Sequence, residues 1–348
     1  MLFTRILGAS AGAGAIATCL VLAASTPAMA QAQTLRMHTF VPPVAGSYKS
    51  LDWWRKKVEA DSKGALKIQL FGSMQLGGKP GDLYNQAKNG VVDIGWVLPG
   101  YTAGLFPRIG VFELPFIGDS ADIVSPAVDE FVRKWGKKEW GDVHVIVAHS
   151  AGESVIHTKP RAIKTLADFK GLKIRTPSRV STAALKALGS TPVPIPGLKM
   201  TEAFMRNVVD GVVAPWSIAR AIRVVDAAKY HTQSLIHEPT LIMMMNKNSY
   251  AKLKGDAKKA IDMNSGAATA AALGKRWVAD DKPGLAKAKQ LGHEVITIRG
   301  EELQKWKAAM KPVYDAWVKD MTAKGHPGKE MLADAEALIE KYRKQMKK

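Results

Sequence analysis

The sequence predicts an α/β fold made of two similarly built lobes, each a mixed or parallel sheet covered by helices. Three observations carry this prediction. Strand-like and helix-like segments alternate from Leu35 onward in a β-α-β-α-β order, the pattern of a helix-covered sheet. A Val-Val-Asp stretch occurs twice at the exit of a helical pattern, in Asn89-Gly-Val-Val-Asp-Ile-Gly-Trp-Val-Leu-Pro99 and in Asn207-Val-Val-Asp-Gly-Val-Val-Ala-Pro215, each running through apolar residues into a proline. No low-complexity linker separates the two halves, so the chain must cross between them by strands or tight hinges.

In order, Leu35 to Phe40 alternates apolar and polar residues as a strand, and Tyr48 to Ala60 has helical spacing with Leu51, Trp54 and Val58 on one face. Leu66 to Phe71 alternates again, Leu83 to Ala87 starts a helix, and Val91 to Val97 reads as a strand ended by Leu98-Pro99-Gly100. The theme repeats through Lys173, Val193 and Val209. Beyond Glu301 the pattern is helical: Leu303, Trp306, Met310, Val313, Trp317 and Met321 recur at three- and four-residue spacing, and Met331 to Tyr342 forms a last amphipathic helix. Those Trp and Met residues read as core rather than as a cofactor box.

The first thirty residues read as an export signal. Met1 to Arg5 is a short basic start, Ile6 to Ala24 an apolar run, and Pro27-Ala28-Met29-Ala30 a small-x-small exit that places cleavage near Ala30. The only cysteine, Cys19, lies inside this segment and lacks the small residue before it that lipidation would want. The mature chain then has no thiol and relies on its core. Its length allows two domains of ordinary size. The 50 basic and 31 acidic residues give +19, or +18 without Arg5. Such a balance admits nucleic acid, an anionic membrane or a small acid as partner. The basic residues are spread rather than clustered, and export argues against nucleic acid.

The segment Gly171-Leu-Lys-Ile-Arg-Thr-Pro-Ser-Arg179 carries the clearest chemistry. It is a short strand ending in Arg175, then a turn, then a helix from Ser181. Ligands of open α/β sheets bind beyond the carboxyl ends of strands. A guanidinium there matches a carboxylate bidentately, and the helix start exposes N–H groups that favour an anion. Arg175 fits an ion pair with an acid of the protein equally well. Trp96 and Trp216 both follow Val-Val-Asp strands and offer aromatic walls; Trp96 is also explained by packing, whereas Trp216, between Pro215 and a possible cap at Ser217, favours a site. Enzyme signatures are absent: no nucleophile elbow, phosphate loop, helical His pair or dinucleotide fingerprint occurs. His144 and His149, five apart, fall on opposite faces of a strand and do not form a metal pair.

Several further segments resemble the solute-binding proteins of tripartite ATP-independent periplasmic (TRAP) transporters, the DctP family. They are Phe71-Gly-Ser-Met-Gln-Leu-Gly-Gly78, Asp93-Ile-Gly-Trp96, Val111-Phe-Glu-Leu-Pro-Phe116, Ile163 to Arg175, Pro192-Val-Pro-Ile-Pro196 and Val209-Asp-Gly211, in the family's order across nearly the whole mature chain. The resemblance implies a periplasmic binding protein fold of two mixed-sheet lobes, with crossing hinge strands and a long connecting helix, that closes on its ligand. It implies a periplasmic location, a TRAP permease as partner, and Arg175 as the ligand carboxylate's partner; a monomer without cofactor is expected, and although the family includes metal-assisted members, no acidic cluster near the proposed cleft compels a metal here. Lobe I is expected to span 31–152 plus 241–279, and lobe II 153–240 plus 280–348.

The sequence departs from the resemblance after Asp210-Gly211, where Ala214 stands in place of a polar asparagine and Trp216 follows. That departure counts against sialic acid, weakens a C4-dicarboxylate, and favours a monocarboxylate with an apolar or aromatic body. Gln75, His157 and Phe40 are further candidate ligand contacts, and Arg179 a second-rank one that a surface ion pair explains as well. Two other classes stay open: a secreted enzyme acting on a small acid through Glu153 or His157, and a sensory binding subunit. Glu238, in His237-Glu238-Pro239, is the residue to watch for a metal.

Overall fold

The computed structural model describes residues 32–102 and 104–347; the expected signal segment, with Cys19 and the cleavage site near Ala30, lies outside them. Among the described residues, eleven strands form two sheets. They are β1 (Gln33–Thr39), β2 (Leu66–Phe71), β3 (Ile94–Val97), β4 (Val143–Ser150), β5 (Val155–Thr158), β6 (Lys173–Thr176), β7 (Thr191–Pro194), β8 (Gly211–Ala214), β9 (Tyr230–Gln233), β10 (Thr240–Asn246) and β11 (Glu294–Thr297). The helices are α1 (Gly46–Asp61), α2 (Leu83–Lys88), α3 (Ala121–Trp135), α4 (Arg179–Ala187), α5 (Gly197–Met205), α6 (Trp216–Ala221), α7 (Val224–Ala227), α8 (Lys247–Lys252), α9 (Gly255–Met263), α10 (Gly266–Gln290), α11 (Gly300–Ala323) and α12 (Gly328–Met346).

The sheet of the first lobe has the order β2-β1-β3-β10-β4, and that of the second reads β7-β6-β8-β5-β9-β11 from its far edge. In each, three consecutive strands run parallel, and the fourth place is taken by an antiparallel strand arriving from the other lobe. The two lobes therefore share one plan, and the chain crosses at Ala151–Ser154 and returns at Ser234–Pro239. The two crossings are stitched to each other. Ala151 N–H donates to Pro239 O and Ser154 N–H to His237 O, both at 2.9 Å. Glu153 Oε1 accepts from the N–H groups of Ser234 and Leu235, at 2.6 and 3.0 Å, while Glu238 Oε1 accepts from Ser150 Oγ at 2.5 Å.

The Val-Val-Asp echo is a real structural repeat. Gly90 and Asn207 both adopt left-handed backbone (φ 74° and 57°) and end a helix. The next N–H, of Val91 or Val208, then reaches back to Gln86 O or Ala203 O, closing the helix in the manner of a Schellman turn. This corrects the strand reading of Val91 and Val92: they belong to the helix exit, and the strand begins at Ile94. Asp93 exchanges two bonds with Arg36 of β1, its N–H to Arg36 O at 3.0 Å and its Oδ2 from Arg36 N–H at 2.7 Å. Asp210 does the same with Lys173 of β6, at 2.7 and 2.8 Å. In both cases the aspartate carbonyl accepts from the neighbour on its other side, Asn246 or Lys159.

Helix α10 is the long connector, and two glycines let it serve both lobes. A Cβ on Gly274 would fall 2.3 Å from Ala121 O at the start of α3, and one on Gly284 would fall 2.6 Å from Trp216 O at the start of α6. The spacing expected for α11 is observed, with Trp306, Met310, Val313, Trp317 and Met321 buried. Not all of residues 280–348 joins the second lobe. β11 extends its sheet, but α12 lies on α3 of the first, where Asp334 takes Lys134 Nζ at 2.6 Å and Trp135 Nε1 at 2.7 Å.

Candidate functional site

Strand β6 ends as the sequence suggests, and Arg175 is 3% exposed. Its Nε donates to Ile195 O at 2.7 Å, one terminal nitrogen to Val213 O at 3.0 Å and the other to the Tyr101 hydroxyl oxygen at 3.4 Å. Among the described residues no carboxylate lies within ion-pairing distance. Burial pulls its pKa below the ordinary arginine value. Each terminal nitrogen carries two hydrogens, so one remains unspent on each. A buried charge without a partner is costly, and this one borders a cavity.

The cavity lies between the lobes, with about 690 Å³ between its walls, the opening to solvent included. The first lobe supplies an aromatic wall. Phe40 follows β1 and stacks on Trp96 of β3 (centroids 5.5 Å, interplanar 17°), and Tyr101 meets Phe40 edge-on at 5.4 Å. The second lobe supplies Arg175, Met200, Ala214 and Ile218. The crossings add Ala151, Ser154 and Pro239, and α10 adds Trp277. Arg175 is the one charged side chain among the described lining residues. The Tyr101 hydroxyl bridges the lobes: it accepts from Gly197 N–H at 2.9 Å and from Arg175, which leaves its own proton free to donate.

Of the residues singled out by sequence, Arg175, Trp96 and Phe40 come together here; four do not. His157 is buried one layer behind, its Nε2 on Ala214 O at 3.1 Å and its Nδ1 on His231 Nδ1 at 2.7 Å. Trp216 packs on those two imidazoles at 5.1 and 4.8 Å and lines a separate cavity at the back of the hinge with Glu153 and Asp281. Ser217 does not cap α6, since Pro215 holds that place and Asp281 of α10 takes the Ser217 N–H at 2.8 Å. Gln75 is exposed on the turn after β2, away from the cavity lining. Arg179 is exposed in the first turn of α4 and faces a groove with Trp317 and Asp320. Glu153 and His157, the acid–base candidates, both lie outside the lining of the main cavity.

Sequence reasoning missed Ser154 as a lining residue and named Tyr101 only as an aromatic that follows the first Val-Val-Asp strand, not as a ligand contact. Tyr101 stands three residues beyond the Leu98 that follows β3, so the strand-end logic applied to Arg175 places it at the cleft. Ser154 sits in a crossing segment with no motif, its Oγ 3.3 Å from His237 Nδ1. Glu238 is also buried, and burial pushes its carboxyl up to about 8. Among the described residues no cluster of His, Cys, Asp or Glu is arranged to hold a metal ion.

Two sheets exchanging strands at a hinge, with a cleft holding one cation and an aromatic wall, define a two-lobed solute-binding protein. The chain belongs to the bacterial extracellular solute-binding proteins of family 7 (DctP), whose pattern it matches over residues 37–320. It is a solute-binding protein of the TRAP type, a family of transport components rather than enzymes. Similar solved structures include a TRAP solute-binding protein from Rhodoferax ferrireducens T118 in complex with copurified benzoate (38% identity, 90% of this chain and 99% of that one, TM-score 0.88). Another is a marine metagenome TRAP protein specific for aromatic acid ligands, crystallised with 3-hydroxybenzoate (36%, 90% and 99%, TM-score 0.87). The 2,3-diketo-L-gulonate-binding periplasmic protein YiaO of Escherichia coli K12 is 25% identical over 282 residues, 79% of this chain and 84% of its own. Among the described residues, no helix is long and apolar enough to cross a membrane.

Proposed function

We propose that this protein captures an aromatic monocarboxylate between its lobes in the periplasm and delivers it to a TRAP permease. The observation that carries the reading is Arg175: buried, without an acidic partner among the described residues, and with an unspent hydrogen on each terminal nitrogen. A ligand carboxylate would supply the missing counter-charge bidentately. Tyr101, whose proton is free, would add a third donor and tie ligand capture to closure of the two lobes. The ring would lie against Phe40 and Trp96. A dicarboxylate would bring a second charge into a cleft whose described lining has no second cation. Benzoate and 3-hydroxybenzoate, the ligands of the two solved relatives, fit this chemistry.

The test is a thermal-shift panel on the chain from Gln31, after unfolding and refolding to strip retained ligand. Benzoate, hydroxybenzoates, short aliphatic acids, dicarboxylates, sugar acids and neutral sugars would be compared. A ligand that binds only the folded protein stabilises it by about 2.7 kcal/mol at a hundredfold excess over its Kd. Aromatic monocarboxylates are expected to give the largest shifts. Silence across them, or a larger shift with dicarboxylates, would overturn the reading.

A further inference from the structure

Trp96 is held from behind by a residue outside the cavity lining. Its Nε1–H donates to His149 Nε2 at 3.0 Å, the two rings being inclined by 21°. His149 stands on β4 and Trp96 on β3, with β10 between them, so the pair reaches across roughly 10 Å of sheet. The tautomer follows from the partners. His149 Nδ1 lies 3.1 Å from Ser150 O, and a carbonyl can only accept, so Nδ1 carries the proton. Burial keeps the ring neutral, pulling its pKa down to about 4. Nε2 is thus a lone pair, and the indole N–H is its donor.

We infer that His149 is a specificity-positioning residue: by consuming the Trp96 N–H on the side away from the ligand, it leaves the Trp96 face of the cavity wall apolar, so that Tyr101 is the polar group of that wall. His149 is 1% exposed and absent from the cavity lining, so the bonded edge of the indole faces away from the ligand. Phe40 stacks within 5.5 Å of the same ring, so both neighbours of the indole fix its plane. A ring-borne hydroxyl directed at Trp96 finds no partner and loses its hydration, whereas an unsubstituted ring loses nothing. Without His149 the indole is free to turn over and present its N–H to the cavity. The inference rests on the aromatic-acid reading of the cavity.

The test compares benzoate with its three monohydroxylated forms by calorimetry on wild type, His149→Leu, His149→Asn and His149→Gln. Leucine removes the acceptor. Asparagine keeps a polar link to Ser150 O but is too short for the indole. Either should shift the affinity ratio by about tenfold toward at least one hydroxybenzoate, the size of one hydrogen bond gained. Glutamine places an oxygen where Nε2 stands and should hold the ratio within about twofold of wild type. Should the leucine variant not fold, the asparagine variant carries the same expectation. Ratios unchanged in a folded leucine or asparagine variant would overturn the inference. Independently of any ligand, the Trp96 indole proton, assigned by Trp96→Phe, should be exchange-protected in wild type and in His149→Gln only. An unprotected proton in wild type would overturn the pairing. A wild type that binds no aromatic acid would instead fault the ligand class, leaving the proton signature to decide the pair.

Discussion

His38 and Arg175 occupy the same place in two copies of one scaffold. His38 is two residues beyond Arg36, the partner of Asp93; Arg175 is two beyond Lys173, the partner of Asp210. The parallel registers agree, with Met37 opposite Ile94 and Ile174 opposite Gly211. Yet His38 is satisfied inside its own lobe, its Nδ1 meeting Gln86 Oε1 at 2.7 Å and its Nε2 accepting Leu76 N–H at 3.3 Å. Burial lowers its pKa and keeps it uncharged. Arg175 stays charged and incompletely bonded. One strand end was closed by its own loop and the other left open to a ligand, while the aromatic wall grew on the closed side. On the proposed reading, the ligand that bridges the two has a charged head and an apolar body.

The largest expected effect separates these two residues. Arg175→Ala should cost about 2–5 kcal/mol of aromatic-acid affinity while circular dichroism and melting temperature stay near wild type. His38→Ala should do the reverse: about 1–3 kcal/mol of stability is lost because Leu76 N–H is left unpaired, with affinity changed by less than about twofold. Equal affinity losses in the two variants would break the comparison.

The repeat itself is tested by Asp93→Ala and Asp210→Ala. Each leaves one strand N–H, of Arg36 or Lys173, without its side-chain acceptor, and each should cost about 1–3 kcal/mol in urea unfolding. A silent variant on either side would show that the two aspartates are not equivalent.

The hinge supplies a pH prediction. Glu238 is protonated in the folded chain up to about pH 8, against 4.5 for the exposed group. The unfolded chain therefore gives up its proton first. The stability tied to this buried, neutral carboxyl is full below about pH 4.5 and is lost as pH rises through about 8. His149 and His157 act in the opposite direction: with folded values of about 4, their contribution is full above about 6.5 and is lost as pH falls toward 4. Glu238→Gln keeps an acceptor for Ser150 Oγ without the charge. Its advantage over wild type should grow from pH 4.5 to 8, reaching about 1–3 kcal/mol. A gap independent of pH would contradict this assignment.

The smallest effect is expected at Trp216. Its indole nitrogen has no partner among the described residues and its ring packs on histidines rather than lining the main cavity, so Trp216→Phe should leave the benzoate-to-acetate affinity ratio unchanged and cost under about 1.5 kcal/mol of stability. A selective loss of benzoate would return Trp216 to the ligand site.

Trp216 also shows where sequence reading fails. Strand ends were legible because Val-Val-Asp and Gly-Leu-Lys-Ile-Arg carry local period and turn signals, and with them Arg175, Trp96 and the alternating order of elements. Which side of a short helix a residue presents depends on what packs behind it, and for α6 that is α10, more than sixty residues later in the chain. His157 failed for a related reason, since its partner His231 arrives on β9, more than seventy residues later in the chain and just before the return crossing. Tyr101 was within reach of the strand-end rule. In the sequence His149 stands out only as a possible partner of His144 at a metal, because nothing local reveals that Trp96 needs an acceptor.

The most direct measurement is calorimetric titration of the wild-type chain, stripped of retained ligand, with benzoate, benzamide and acetate. Benzamide keeps the ring and loses the charge; acetate keeps the charge and loses the ring. The account predicts that benzoate binds at least a hundredfold more tightly than either, since about 2–5 kcal/mol rides on the Arg175 pair and the ring supplies the buried apolar area. Benzamide binding as tightly as benzoate would contradict the role of Arg175, and acetate matching benzoate would contradict the aromatic wall.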